Sequence, residues 1–71
     1  MGRLTALSIA NLKAADAAGI EPAAGGFMVW VARAGNRAYL HDSQGIQVYS
    51  DKLKARRNVL RVRPDLEPTE I

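Results

Sequence analysis

Apolar positions recur along this chain with two different periods. Across residues 4–18, LTALSIANLKAADAA, the side chains of Leu4, Leu7, Leu12, Ala15 and Ala18 fall on one broad face at 3.6-residue spacing, which predicts a helix. Thr5 is placed to cap its N-terminus, with Ser8 the second candidate. The alanines favour helix through the middle. Gly19 suits a left-handed C′ position, with Ile20 as the apolar contact beyond it. Pro22 cannot continue a helix and biases Glu21 to extended geometry, so residues 21–26, EPAAGG, read as a connector. The period then shortens to two. Residues 27–33, FMVWVAR, are apolar, branched and aromatic, and read as a strand.

Two turns follow. In Ala34, Gly35, Asn36 and Arg37, glycine at the first central position is a type II′ signature. It would pair Ala34 with Arg37, Ala32 with Tyr39, Val31 with Leu40 and Trp30 with His41. In Asp42, Ser43, Gln44 and Gly45, the terminal Asp and Gly suit a type I turn closed by a glycine bulge. It would pair Asp42 with Ile46, Leu40 with Val48 and Tyr39 with Tyr49. The expected product is a three-stranded antiparallel meander with two unlike faces. Phe27, Val29, Val31, Leu40, Ile46 and Val48 form an aliphatic face packed on the N-terminal helix. Met28, Trp30, Arg37, Tyr39, His41, Gln47 and Tyr49 form the other. A register slip of one residue would mix the two classes.

Beyond the meander, Ser50 can cap a short helix and Asp51 suits its first turn. Residues 52–58, KLKARRN, give about two basic turns anchored by Leu53. Residues 59–63, VLRVR, alternate and predict an extended segment or strand, with Leu60 and Val62 inward and Arg61 and Arg63 in solvent. Pro64 stops it. The chain is thus expected to be one α+β domain over residues 1–63, followed by an acidic, frayed tail over residues 64–71.

Composition sharpens this picture. The chain has 71 residues, 48% of them hydrophobic, but many of these are alanine, so the core is small and stability marginal. No cysteine is present to brace it; a homodimer would add the missing burial. No apolar run approaches the roughly 20 residues of a membrane helix, and the N-terminus lacks a signal-peptide core. A soluble, cytoplasmic protein is expected. The net charge is +3 and unevenly spread. Residues 26–63 carry eight basic side chains against Asp42 and Asp51, whereas Asp65, Glu67 and Glu70 make the tail acidic. A basic half points to an acidic partner such as nucleic acid, against the plainer reading of ordinary surface charge.

Little here suggests catalysis. His41 is the sole histidine, and one histidine with scattered carboxylates and no cysteine does not make a convincing zinc site. Ser43 and Asp42 beside it are explained by their turn. No carboxylate pair is spaced for acid–base work, so no catalytic residue, metal or cofactor is expected. The second sheet face is more suggestive. Trp30, Tyr39 and Tyr49, with Arg37 and His41, combine aromatic planes and cations of the kind that stack bases and grip phosphates. Lys52, Lys54, Arg56 and Arg57 would add phosphate contacts on the following helix. Two plainer readings stand beside these: a second helix or partner covers the aromatics, and the basic run is a solvated helix face. The expected function is therefore non-enzymatic nucleic-acid binding, of DNA before RNA. The alternative is a protein-interaction adaptor or small inhibitor using the same aromatic face.

The stretch LTALSIANLKA, followed by GGFMVWVARAGNRAY, resembles the N-terminal arm-type DNA-binding domain of phage-type tyrosine integrases. The features that carry the likeness are Leu4 and Thr5, the pair Gly25 and Gly26, the alternating Phe27, Val29 and Val31, the hairpin Gly35, and Arg37 with Tyr39. They cover about residues 4–40. Ala24 stands where that family often has an acidic residue, and its long second hairpin is shortened here to DSQG. The resemblance implies a small DNA-binding protein of a phage or mobile element, without the recombinase chemistry.

Overall fold

The computed structural model describes residues 3–70. It is α+β, as the periodicity predicts, but its strands are not all the expected ones. Helix α1 (Ala6–Ala14) is followed by strands β1 (Ala17–Ala23), β2 (Gly26–Arg33) and β3 (Asn36–Tyr39). A short hairpin of β4 (His41–Asp42) and β5 (Gly45–Ile46), helix α2 (Lys52–Val62) and strand β6 (Thr69–Glu70) complete the chain. The main sheet has the order β3-β2-β1-β6, antiparallel except that β6 lies parallel to β1. Both helices cover one face of this sheet, and Leu12, Ile20, Val29, Val31, Leu40, Tyr49 and Val59 are buried between the layers.

Thr5 caps α1 as expected, its hydroxyl accepting from the Ser8 N–H at 3.1 Å. The helix stops at Ala14, however, and Ala15 is already extended. The predicted last turn, the C′ role of Gly19 and the connector at residues 21–23 are all replaced by β1. Alanine propensity is a weak preference, and here strand pairing overrides it. Each residue of β1 pairs with β2, from Ala17 with Ala32 to Ala23 with Gly26. Ala18 and Ile20 thereby reach the core. Pro22 is tolerated because β6 pairs only with Gly19 and Ile20, leaving that edge open beyond them. The glycines of the supposed linker close a tight hairpin. Gly26 has φ +154° and lies so close to the Tyr49 carbonyl that a Cβ would fall 2.1 Å from its oxygen, so no larger residue fits. Leu7, expected on the buried face of α1, is 62% exposed, and Ser8 is buried in its place.

The two later hairpins depart from the expected register by different amounts, with different consequences. In β2–β3, Arg33 pairs with Asn36 and Trp30 with Tyr39. Ala34 and Gly35 occupy the turn with φ of 51° and 83°, the type I′ form. The partner of each β2 residue shifts by two positions, so every side chain keeps its predicted face. In β4–β5, His41 pairs with Ile46 and Asp42 with Gly45, and the Gln47 N–H donates to the Leu40 carbonyl. That is a shift of one, and it exchanges the faces. Gln47 and Tyr49 enter the core, while Ile46 and Val48 are exposed. The Tyr49 backbone bridges to Phe27 and its hydroxyl donates to Gln47. Burying that large ring with its partner outweighs burying two smaller aliphatic chains.

The C-terminal third also departs from the expected elements. Residues 59–62, expected as an extended segment or strand, continue α2, because Ala55 and Val59 lie one turn apart on its buried face. Asp51, rather than Ser50, caps this helix, accepting from the Lys54 N–H at 2.9 Å. The tail expected to fray instead closes the domain. Leu66 packs against the core, Pro68 is buried and β6 joins the sheet. Arg63, expected in solvent, donates from one guanidinium nitrogen to the carbonyls of Leu12, Lys13 and Ala15, capping the C-terminus of α1 from across the molecule. Asp65 holds the other end of that guanidinium at 2.9–3.0 Å.

Candidate nucleic-acid interface

Strand alternation fixes the outer face of the sheet. Because Ile20, Val29 and Val31 point to the helices, their neighbours Gly19, Glu21, Met28, Trp30, Arg37 and Tyr39 share the opposite face. No described element covers it. Three of the expected site residues meet there: Trp30, Arg37 and Tyr39. The Trp30 indole lies over Gly19, where a Cβ would fall 2.1 Å from its ring. The Arg37 guanidinium sits 4.1 Å from the ring centroid in a cation–π contact. The Trp30 Nε1–H is buried without an acceptor. Tyr39 donates its hydroxyl to Glu21 at 2.6 Å, and that hydrogen bond raises its pKa above the ordinary phenol value. The face thus carries both signs of charge, with Trp30, Arg37 and Tyr39 already engaged.

The structure separates the remaining site residues from this cluster. His41 turns toward the N-terminus of α1. Its Nε2 lies 2.9 Å from the Thr5 hydroxyl and its Nδ1 2.7 Å from that of Ser8, while its N–H donates to Ser8 Oγ. Both ring nitrogens and both backbone groups of His41 are thus engaged, since Thr5 N–H donates to its carbonyl. This residue anchors α1 to the sheet rather than facing solvent beside Trp30. Tyr49 is fully buried, and burial pushes its pKa up to about 12. It is a core residue because of the one-residue register shift.

Lys52, Lys54, Arg56 and Arg57 lie on α2, in the layer opposite the aromatic face. The Lys52 ammonium approaches the Phe27 ring at 5.7 Å. Arg56 is paired with Glu67 at 2.8 Å, which raises its pKa and ties the tail to the helix. Lys54 and Arg57 are exposed, together with Arg61, which was expected in solvent but on an extended segment rather than on this helix. At positions 54, 57 and 61 these three share one narrow helical stripe. No acidic residue lies within α2, and neither Arg57 nor Arg61 forms an ion pair among the described residues. The signal that could have found Arg61 is the helical phase of Ala55 and Val59 carried past Asn58.

Beside this stripe, α2, the start of α1 and the chain after β5 enclose a cleft of about 410 Å³. Arg3, Arg61, Asn58 and Gln47 supply its polar lining, and Leu4, Ile9 and Val62 its apolar walls. No group of three or more potential metal ligands occurs among the described residues. Nor is any described helix long and apolar enough to cross a membrane. The chain matches no protein-family model, no curated protein and no solved structure.

Proposed function

We propose that the protein binds nucleic acid, duplex DNA first, through the exposed face of α2. The observation that carries this reading is the stripe of Lys54, Arg57 and Arg61, uninterrupted by acidic residues and pointing away from the sheet. Cations at this spacing contact successive phosphates, which positions a protein on nucleic acid without reading its sequence. Arg56 and Arg63 are left out of the stripe because Glu67 and Asp65 already pair with them. The aromatic sheet face lies on the far side of a body whose Cα atoms span at least 21 Å along each principal axis. One straight duplex cannot touch both surfaces at once.

The test is a salt titration of binding to a duplex of about 20 base pairs. Three phosphate contacts give a log–log slope near −2.7, with a dissociation constant of ~10⁻⁴–10⁻⁶ M expected for non-specific binding. No binding at ~50 mM salt would rule the reading out.

A second reading applies to the other face. Glu21 and Arg37 flank Trp30 and Tyr39 there, and mixed charge around a fixed aromatic favours a protein partner over a polyanion. Arg37 and Tyr39, which carry part of the likeness to integrase arm-type domains, also lie on this face, so DNA bound there is the competing route. Comparing Arg37→Ala with Arg57→Ala separates the two routes.

A further inference from the structure

We infer that the cleft beside α2 is a binding site for a phosphate monoester carried on a flat, largely apolar body, as presented by the terminal nucleotide of a nucleic-acid strand. The inference builds on the proposed role of α2, since Arg61 belongs both to the cationic stripe and to the cleft. A backbone followed along Lys54, Arg57 and Arg61 therefore arrives at the cleft mouth. What is found there differs from the stripe in two ways.

The first difference is charge. Arg3 joins Arg61, so two cationic residues line one cavity, and no acidic residue lines it. A backbone phosphodiester carries a single negative charge, whereas a terminal monoester carries about −1.5 to −2 at neutral pH. Two guanidiniums match the second, and their planar donor forks suit phosphate oxygens. The second difference is shape. The stripe is convex, whereas the cleft is concave, with Leu4, Ile9 and Val62 as apolar walls. Its 410 Å³ falls within the roughly 300–1,000 Å³ typical of small-ligand sites. Gln47, 4% exposed, is fixed by the Tyr49 hydroxyl and by Asp42, so this part of the wall is rigid. An apolar concavity beside two cations accommodates a base and its terminal phosphate together, which the stripe alone does not.

The experiment compares short duplexes ending in 5′-phosphate, in 3′-phosphate or in hydroxyls only, alongside a free nucleoside monophosphate and its nucleoside. Binding is followed by anisotropy for the duplexes and by methyl shifts of Ile9 and Val62 for the small molecules. The expected result is at least fivefold tighter binding of one phosphorylated end than of the hydroxyl end. The monophosphate, but not the nucleoside, should shift both methyls. Arg3→Ala, checked for folding by circular dichroism, should abolish the preference, since Arg3 lies in the cleft and outside the stripe. Equal binding of all three ends, with no methyl shift, overturns the cleft assignment while leaving backbone binding by α2 intact. Methyl shifts with the monophosphate but no duplex binding sustain the cleft and remove the α2 reading. No response in either arm overturns both.

Discussion

The outer face of the sheet and the exposed face of α2 both carry cationic side chains but differ in how far the fold has engaged them. On the sheet, Arg37 rests on Trp30, Trp30 rests on Gly19, and Tyr39 is bonded to Glu21. On α2, Arg57 and Arg61 are exposed and have no carboxylate beside them. A cationic or aromatic side chain is available to a partner only when the fold has not already used it. The comparison predicts that substitutions on the sheet change stability, whereas substitutions on α2 change binding and leave stability alone.

The largest effect is expected at Gly19. Gly19→Ala places a methyl group within the Trp30 ring and must displace it. Overpacking of this kind costs about 3 kcal/mol, a large share of the stability of a domain this small. Chemical denaturation should show the loss, and Trp30 fluorescence should shift to the red as the indole leaves the sheet. A variant of unchanged stability would mean that Trp30 does not lie on β1.

Next comes the buried phenol beneath the same sheet. Tyr49→Phe leaves the nearly buried Gln47 carbonyl without its donor, at a cost of about 1–3 kcal/mol. Tyr49 also links stability to pH. Its pKa is about 12 in the folded chain and 10.0 in the ordinary phenol. The fold therefore favours the neutral form. That contribution is complete below pH 10 and is lost as the pH rises through 12, amounting to roughly 2–3 kcal/mol. Denaturation midpoints at several alkaline pH values should show this loss, and Tyr49→Phe should remove its share of it.

A smaller gain would confirm the hairpin that places Arg37 over Trp30. Ala34 holds φ 51°, a left-handed geometry unfavourable to alanine. Ala34→Asn creates the Asn-Gly pair preferred in type I′ turns and should stabilise the domain by about 0.5–1 kcal/mol. Destabilisation would point instead to the turn centred on Gly35 and Asn36. The smallest stability effect belongs to α2: Arg57→Ala with Arg61→Ala should stay within about 0.5 kcal/mol of the parent protein in the same denaturation assay.

How far the sequence revealed this arrangement depended on parity. The first hairpin was misplaced by two residues, yet Trp30, Arg37 and Tyr39 stayed on the predicted face because side chains alternate with period two. The second was misplaced by one, which moved Tyr49 and Gln47 into the core and Ile46 and Val48 out of it. A turn containing Asp, Ser, Gln and Gly fits loops of either length, and only tertiary burial of the Tyr49 ring decides between them. β1 was hidden for a different reason. Its residues, AAGIEPA, have little intrinsic strand preference. They form a strand because β2 offers a complete ladder and because a glycine is needed beneath Trp30. His41 and Arg63 were legible as residue types but not as anchors. Their partners lie 33 and 36 positions away for His41, and 48 to 51 for Arg63. Local pattern carries no information about such contacts.

The proposal that nucleic acid meets α2 and not the sheet is tested by one anisotropy titration. A 20-base-pair duplex at about 50 mM salt would be offered to the parent protein, to Arg57→Ala with Arg61→Ala, and to Arg37→Ala. Loss of two phosphate contacts should weaken binding at least tenfold in the double variant, while Arg37→Ala stays within twofold. A loss at Arg37 equal to or greater than that of the double variant would contradict the claim and place the nucleic acid on the sheet.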